Sequence, residues 1–239
     1  VTDIVIVGTS HGRPNYLQET FRSWQKAGWD RLDRTWFIDP NGRSPMAHIE
    51  EKLCLEFGVV PVLNDRTLGP LVNPYRALSH GFMHGAEFVI LGEEDSTVAE
   101  DAVEYFEWAA VEFKFDSRVM FVTTFNKHRY DKVDDRLRQV EYRQGYFSPT
   151  IWGTWVDRWR RHIEPTWDHD YSNRGWDWNF HENVLPSTGC GSVVPLYSRS
   201  DHIGKFGGAH CTPAMFETLR APQPIYEQSI DPWTLTEDD

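Results

Sequence analysis

Phe88-Val89-Ile90-Leu91-Gly92-Glu93-Glu94-Asp95 runs four apolar residues almost directly into three carboxylates. A continuous apolar run of this length predicts a strand buried on both faces, as in the middle of a parallel sheet. Open α/β sheets bind ligands just past the carboxyl ends of such strands. Three acids gathered there repel one another and lose solvation unless a cation joins them. A hard divalent ion with a phosphate-bearing ligand meets that need. The plainer alternative is a solvated strand-to-helix turn, with Asp95 or Ser96 capping the helix that follows.

The flanking sequence supports a sheet. Asp3 to Val7 reads as a strand, and Asn15 to Ala27 as an amphipathic helix behind Pro14, which suits a first turn. Thr35 to Ile38 and Val59 to Leu63 are the next strands, with a helix between them from Met46 to Phe57 closed by Gly58. Asn73 to Gly85 is a helix that leads into Phe88 to Leu91. Ala99 to Phe113 (helix) and Arg118 to Thr124 (strand) complete the alternation. Strands alternating with helices predict an α/β fold with a mostly parallel, Rossmann-like central sheet flanked by helices. The second half, rich in Gly, Pro and Trp, reads as a smaller, irregular, substrate-binding half. The expected division is a ligand-binding half at 1–125, the substrate-binding half at 126–220 and an acidic tail at 221–239, within one continuous domain.

Composition narrows the function. The 239 residues carry a net charge of −12, which argues against generic nucleic-acid binding. Local basic stretches remain at Lys127 to Arg143 and at Arg158, Arg160 and Arg161, for which a solvated face is the ordinary role. No apolar stretch is long enough to span a membrane, and no signal-peptide pattern begins at Val1. Val1 in place of Met predicts a processed or trimmed start. Cys54, Cys190 and Cys211 are widely spaced and form no CxxC pair, so a reducing cytoplasm is the expected compartment.

Several positions carry candidate chemistry. Thr9 to Pro14 follows the first strand and offers backbone N–H groups to an anion at a helix start, with neither a GxGxxG nor a Walker pattern. Asp39 ends the second strand, where it could accept from a base or ribose or simply shape a turn before Pro40. Eleven tryptophans are present, and indole faces stack on sugars. Trp152, Trp176 and Trp178 are therefore candidate acceptor contacts, although Trp152, Trp155 and Trp159 have the helical spacing of a packed core. Asp177, between Trp176 and Trp178, is a carboxylate beside aromatic walls and a candidate base. Arg199 to His210 is a glycine-rich, cationic stretch in which Lys205 and His210 could meet phosphate charge.

In this order the motifs resemble the GT-A fold glycosyltransferases, and most closely the N-acetylglucosaminyltransferase I family. That family's Glu-Asp-Asp and Val-Ala-Pro-Asp-like stretch correspond to Glu93-Glu94-Asp95 and Val98-Ala99-Glu100-Asp101. Its Gly-Trp, Glu-Pro-x-Trp and Trp-Asp-x-Trp segments correspond to Ile151-Trp152-Gly153, Glu164-Pro165-Thr166-Trp167 and Gly175-Trp176-Asp177-Trp178. Its Ser-Arg-Thr and Phe-Gly-Arg-Lys-Gly…Ser-His correspond to Ser198-Arg199-Ser200 and Ile203 to His210. The match is collinear from about Asp3 to Leu219.

The resemblance implies a metal-dependent inverting transfer from a UDP-sugar to an acceptor hydroxyl, in a glycan, a protein or a hydroxymethylated DNA base. It implies that Arg13 and Asp39 hold uridine, Glu93 the donor sugar and Glu94 the ribose. Asp95 would bind Mn2+ (or Mg2+), Asp177 would be the base, and Lys205 and His210 would lie on a loop that closes over the donor. Two departures stand out: Glu94 replaces an Asp, and one residue is missing between Asp177 and Trp178. Without the family's membrane anchor, a bacterial or viral protein of the cytoplasm is expected. The alternatives are a non-catalytic sugar- or nucleotide-binding module and a nucleotidyltransferase.

Overall fold

The run at Phe88 forms the strand predicted for it, and the rest of the fold is arranged around that strand. The computed structural model describes residues 2–42, 44–128, 137–169, 175–207, 213, 216, 217, 220, 221, 224, 225 and 231–236. The first half alternates as expected, except that a short unforeseen strand, β5, follows β4 directly: β1 (Ile4–Ser10), α1 (Pro14–Lys26), β2 (Asp33–Ile38), α2 (Met46–Glu56), β3 (Val60–Leu63), α3 (Gly69–Met83), β4 (Phe88–Glu93), β5 (Ser96–Val98), α4 (Ala102–Glu112) and β6 (Val119–Thr123). The second half adds β7 (Gln139–Gln144), β8 (Trp152–Trp155), β9 (Gly191–Pro195), β10 (Ser200–His202) and β11 (Thr234–Leu235).

A nine-stranded sheet runs β11-β7-β9-β6-β8-β4-β1-β2-β3, and β5 pairs separately with β10. The pairs β1–β2, β1–β4, β2–β3, β6–β9 and β7–β11 are parallel; β8 runs antiparallel to β4 and β6, as does β7 to β9. Strand alternation sends Phe88 and Ile90 into one core, with α1, α2 and α4. It sends Val89 and Leu91 into the other, with α3 and the aromatic residues of the second half.

Three expectations are corrected. Trp152 and Trp155 lie on a strand, not a helix. A spacing of three also places two strand residues on opposite faces, and the two indoles enter opposite cores. Gly153 makes room between them: a Cβ there would stand 2.4 Å from the Phe88 ring. The half read as irregular contributes β7, β8 and β9 to the main sheet. Two of the basic residues expected on solvated faces are buried. Arg158 donates to the carbonyls of Phe113, Lys114, Asp116 and Val119. Arg138 pairs with Glu104 at 2.8 Å and lies 3.5 Å from Asp101.

Arg199 shares that network. Its guanidinium, with no exposure, pairs with Asp101 at 2.9 Å and lies over Trp233, as Arg138 does. Buried charges persist only when paired, and this pairing fixes the start of β10.

Beneath the carboxyl ends of the central strands, Gly8 and Gly92 are register partners on β1 and β4. The buried Trp36 ring lies across both, wedged edge-on against Phe21 at 4.9 Å. A Cβ on Gly8 would stand 2.2 Å from that ring. Gly8→Ala is therefore expected to cost about 1–3 kcal/mol through overpacking. Urea unfolding measures this, and an unchanged midpoint would mean that the indole yields without cost.

Candidate active site

The carboxylates occupy the end of β4 and the turn into β5. Four contacts hold that turn. Thr20 Oγ1 on α1 donates to the Glu94 carbonyl at 2.8 Å, and the Val98 N–H donates to Ser23 Oγ at 3.0 Å. From the other side β10 pairs with β5, and the Ile203 N–H donates to the Asp95 carbonyl at 2.7 Å. The strand-to-helix turn considered from sequence is thus a tight link between two strands, and α4 begins only at Ala102.

The cation demanded by the acids is Arg13. Its guanidinium reaches Glu94 Oε1 at 2.6 Å and Asp95 Oδ2 at 2.8 Å. Burial works against its charge, but Glu94 and Asp95 outweigh that and raise its pKa. Burial also pushes Glu93 well above the ordinary carboxylate range, reinforced by Asp95 and Glu94, opposed by Arg13, and raised further by Asp177. Asp177 therefore lies within electrostatic reach of the cluster, although it is far away in sequence.

The loop carrying Arg13 is held by Glu50, a residue the sequence reading missed. The Arg13 N–H donates to Glu50 Oε1 at 2.7 Å and Ser10 Oγ donates to Oε2 at 3.0 Å. Burial raises the Glu50 pKa, while the N–H groups of Gly12 and Arg13 oppose the rise. The N–H groups expected to receive an external anion thus receive an internal one. One Glu beside another in a helix, Glu50 before Glu51, gives no sign of this in sequence.

Asp177 is positioned through α3. Pro74 has no N–H to donate to the carbonyl four residues back. The Pro70 carbonyl instead accepts from Trp176 Nε1 at 3.1 Å, and the neighbouring Leu71 carbonyl accepts from Trp167 Nε1 at 2.9 Å. Trp176 stacks on Trp167 with ring centroids 5.1 Å apart. Gly175, at φ +106°, starts the turn where an L side chain would be strained and would also crowd Asp177 and Leu71.

The remaining candidates separate clearly. Trp152 has no exposure and Trp176 is 5% exposed, so both are core residues rather than acceptor contacts; burial in the aromatic cluster with Phe121, Phe147 and Phe180 consumes their faces. Trp178, 47% exposed, keeps its surface position beside Asp177. Thr9 is buried near the end of β1, opposite Phe37 and Glu93. Asp39 is buried, and its carboxylate accepts from Asn64 at 2.5 Å and from the N–H groups of Leu68 and Gly69 at 3.1 and 2.7 Å. It thereby ties the start of α3 to β2, beside a cleft of about 530 Å³ lined by Pro40, Leu63, Asn64 and Arg66. Lys205 lies near Glu217, at 3.8 Å, and over the Phe216 ring rather than on the acids. His210 is outside the described residues. Among the described residues no helix is long and apolar enough to cross a membrane.

A model of the GNT-I family matches residues 74–216, more than half of the chain. No curated protein sequence matches it. Among solved structures, S. aureus TarS 1-349 in complex with UDP-GlcNAc is similar with a TM-score of 0.60 at 11% identity, over 91% of this chain and 64% of that one. The mannosyltransferase PcManGT from Pyrobaculum calidifontis, in complex with GDP-Man and Mn2+, gives 0.57 at 13% identity, over 81% and 54%. The chain thus spans less than two thirds of either protein. The architecture is the GT-A glycosyltransferase fold.

The acid cluster makes stability depend on pH. Folding pushes Glu94 up to about 7 from an ordinary 4.5, by burial against the pull of Arg13. Between those values the folded state holds a proton that the unfolded chain has released. The cluster's contribution to stability therefore falls as pH rises through that window and levels off above it. The thermal midpoint should lose less between about pH 5 and about pH 8 in Glu94→Gln than in the wild type. An identical loss in both proteins would remove Glu94 as the source.

Proposed function

The chain belongs to the GNT-I family, and from that premise we propose that it is a metal-dependent inverting glycosyltransferase moving a sugar from a UDP-sugar to an acceptor hydroxyl. The observation that carries this reading is the carboxylate cluster Glu93-Glu94-Asp95 at the end of β4, with Arg13 fixed on Glu94 and Asp95, on which Asp177 from the second half of the chain also acts electrostatically. Proteins of similar fold in complex with UDP-GlcNAc and with GDP-Man support a nucleotide-sugar donor.

The donor is assigned to the cleft at the carboxyl ends of β1, β2 and β4. Asp39, with the loop it holds, forms the uridine end. Glu94 faces the ribose, and Arg13, already fixed on Glu94 and Asp95, stands beside it. Glu93, whose pKa burial and the neighbouring acids raise, faces the donor sugar and can hydrogen-bond one of its hydroxyls. The residues fit a divalent ion: Asp95 offers hard carboxylate oxygen, and no side chain at Gly204 intrudes on it, since a Cβ there would stand 2.1 Å from Oδ2. Mn2+ or Mg2+ on Asp95 supplies positive charge for a departing diphosphate.

Asp177 takes the proton of the acceptor hydroxyl as the oxygen forms its bond to the anomeric carbon and the bond to UDP breaks. Attack from the face opposite the leaving group inverts the configuration. Trp178, exposed beside Asp177, offers an apolar ring face to a sugar acceptor. The net charge of −12 favours a glycan over DNA.

Two substitutions test the assignment. Asp95→Ala should abolish the metal-dependent part of UDP binding in calorimetry. Asp177→Asn should retain UDP binding and lose about 10²- to 10⁴-fold in transfer. Near-normal turnover in Asp177→Asn would remove Asp177 as the base.

A further inference from the structure

Ser79-His80-Gly81-Phe82-Met83-His84-Gly85, at the carboxyl end of α3, carries two histidines four residues apart. They stand at the other end of the helix from the carbonyls that hold Trp167 and Trp176, roughly 16 Å along its axis. Residues four apart share one helix face. The two imidazoles meet there, with ring centroids 4.0 Å apart and planes inclined by 36°. A hydrogen bond fixes the His84 ring. Its Nδ1 lies 2.8 Å from the His80 carbonyl, which can only accept, so Nδ1 carries the proton and Nε2 keeps its lone pair. Metal-binding histidines are oriented through their second nitrogen in this way. The His80 ring rests edge-on against Phe37 at 5.3 Å, and its nitrogens make no hydrogen bond among the described residues. Burial, His84 and Arg76 lower the His80 pKa, so near pH 7 its ring is neutral, the form that ligates. The backbone between the two rings has little room to move, because Gly81 packs so closely on β4 that a Cβ there would stand 2.9 Å from Val89.

We infer that His80 and His84 form a surface site for a transition-metal ion of the Zn2+, Ni2+ and Cu2+ class. This does not depend on the UDP-sugar reading. Imidazole nitrogen bonds such ions at about 2.1 Å, so two imidazoles at right angles on one ion have ring centres about 4.5 Å apart. The observed 4.0 Å needs little adjustment. The last carbonyls of α3 place partial negative charge beside the pair, which favours a cation. Arg76, one turn back, opposes it, but its guanidinium is directed to Asn64 Oδ1 and lies over the Phe37 ring. Among the described residues no group of three or more His, Cys, Asp or Glu side chains could hold a metal, so water completes the shell. Imidazole selects ions of this class over Mg2+ and Ca2+, which take oxygen ligands.

The test titrates NiCl2 into the intact chain by calorimetry, without nucleotide, for the wild type and for His84→Ala. His84 is exposed, so its truncation leaves the core untouched. The wild type should bind Ni2+ at a site that His84→Ala fills at least about tenfold more weakly, and excess MgCl2 should not compete. Pulsed electron paramagnetic resonance of the wild type with one equivalent of CuSO4 should show two imidazoles on the metal. That spectrum does not depend on how the variant behaves. Equal Ni2+ affinity in the two proteins, no Ni2+ binding by the wild type, or a wild-type Cu2+ spectrum with fewer than two imidazoles overturns the inference.

Discussion

Desolvated negative charge at the end of β4 governs how the site is built. A central strand must be apolar on both faces, so its continuation carries Glu93, Glu94 and Asp95 out of the core with little water around them. Such a cluster survives only where a cation is delivered to it and the backbone beneath it is pinned. Arg13 is the cation, Glu50 fixes the loop that delivers it, and α1 and β10 pin the turn. Each comes from a different part of the chain, so the acids act as a meeting point for the fold as well as for a ligand.

A second set of contacts makes the site bipartite. The aromatic cluster under β8 could have been a packing device alone. Its Trp167 and Trp176 indoles, however, donate to carbonyls at the N-terminal end of α3, one of them left open by Pro74. That attachment carries Asp177 towards the acids, and the same end of α3 is tied to β2 by Asp39. One helix terminus therefore links the nucleotide side of the cleft to the residue proposed as the base. The buried Asp101–Arg199 pair does comparable work for β10.

Much of this was legible in the chain. Apolar periodicity located the four helices of the first half and its strands other than β5, because burial on two sheet faces imposes a pattern that sequence displays directly. The limits were local. Trp152-Gly153-Thr154-Trp155 satisfies a helical spacing as well as a strand, and only the slot between β4 and β6 decides between them. Arg138 and Arg158 read as surface charge because their partners, backbone carbonyls and distant carboxylates, have no sequence signature.

By itself the sequence determined the α/β alternation, the position of the acid cluster and the singular setting of Asp177, since each follows from the kind of residue and its neighbours along the chain. Tertiary structure alone decided which side chains share the cluster's charge. It brought Arg13, Glu50 and Asp177 to one place, buried Trp152 and Trp176 and left Trp178 at the surface. The physical reason is that Coulomb attraction, desolvation and hydrogen bonding depend on separation in space. The chain sets that separation only after the sheet has closed.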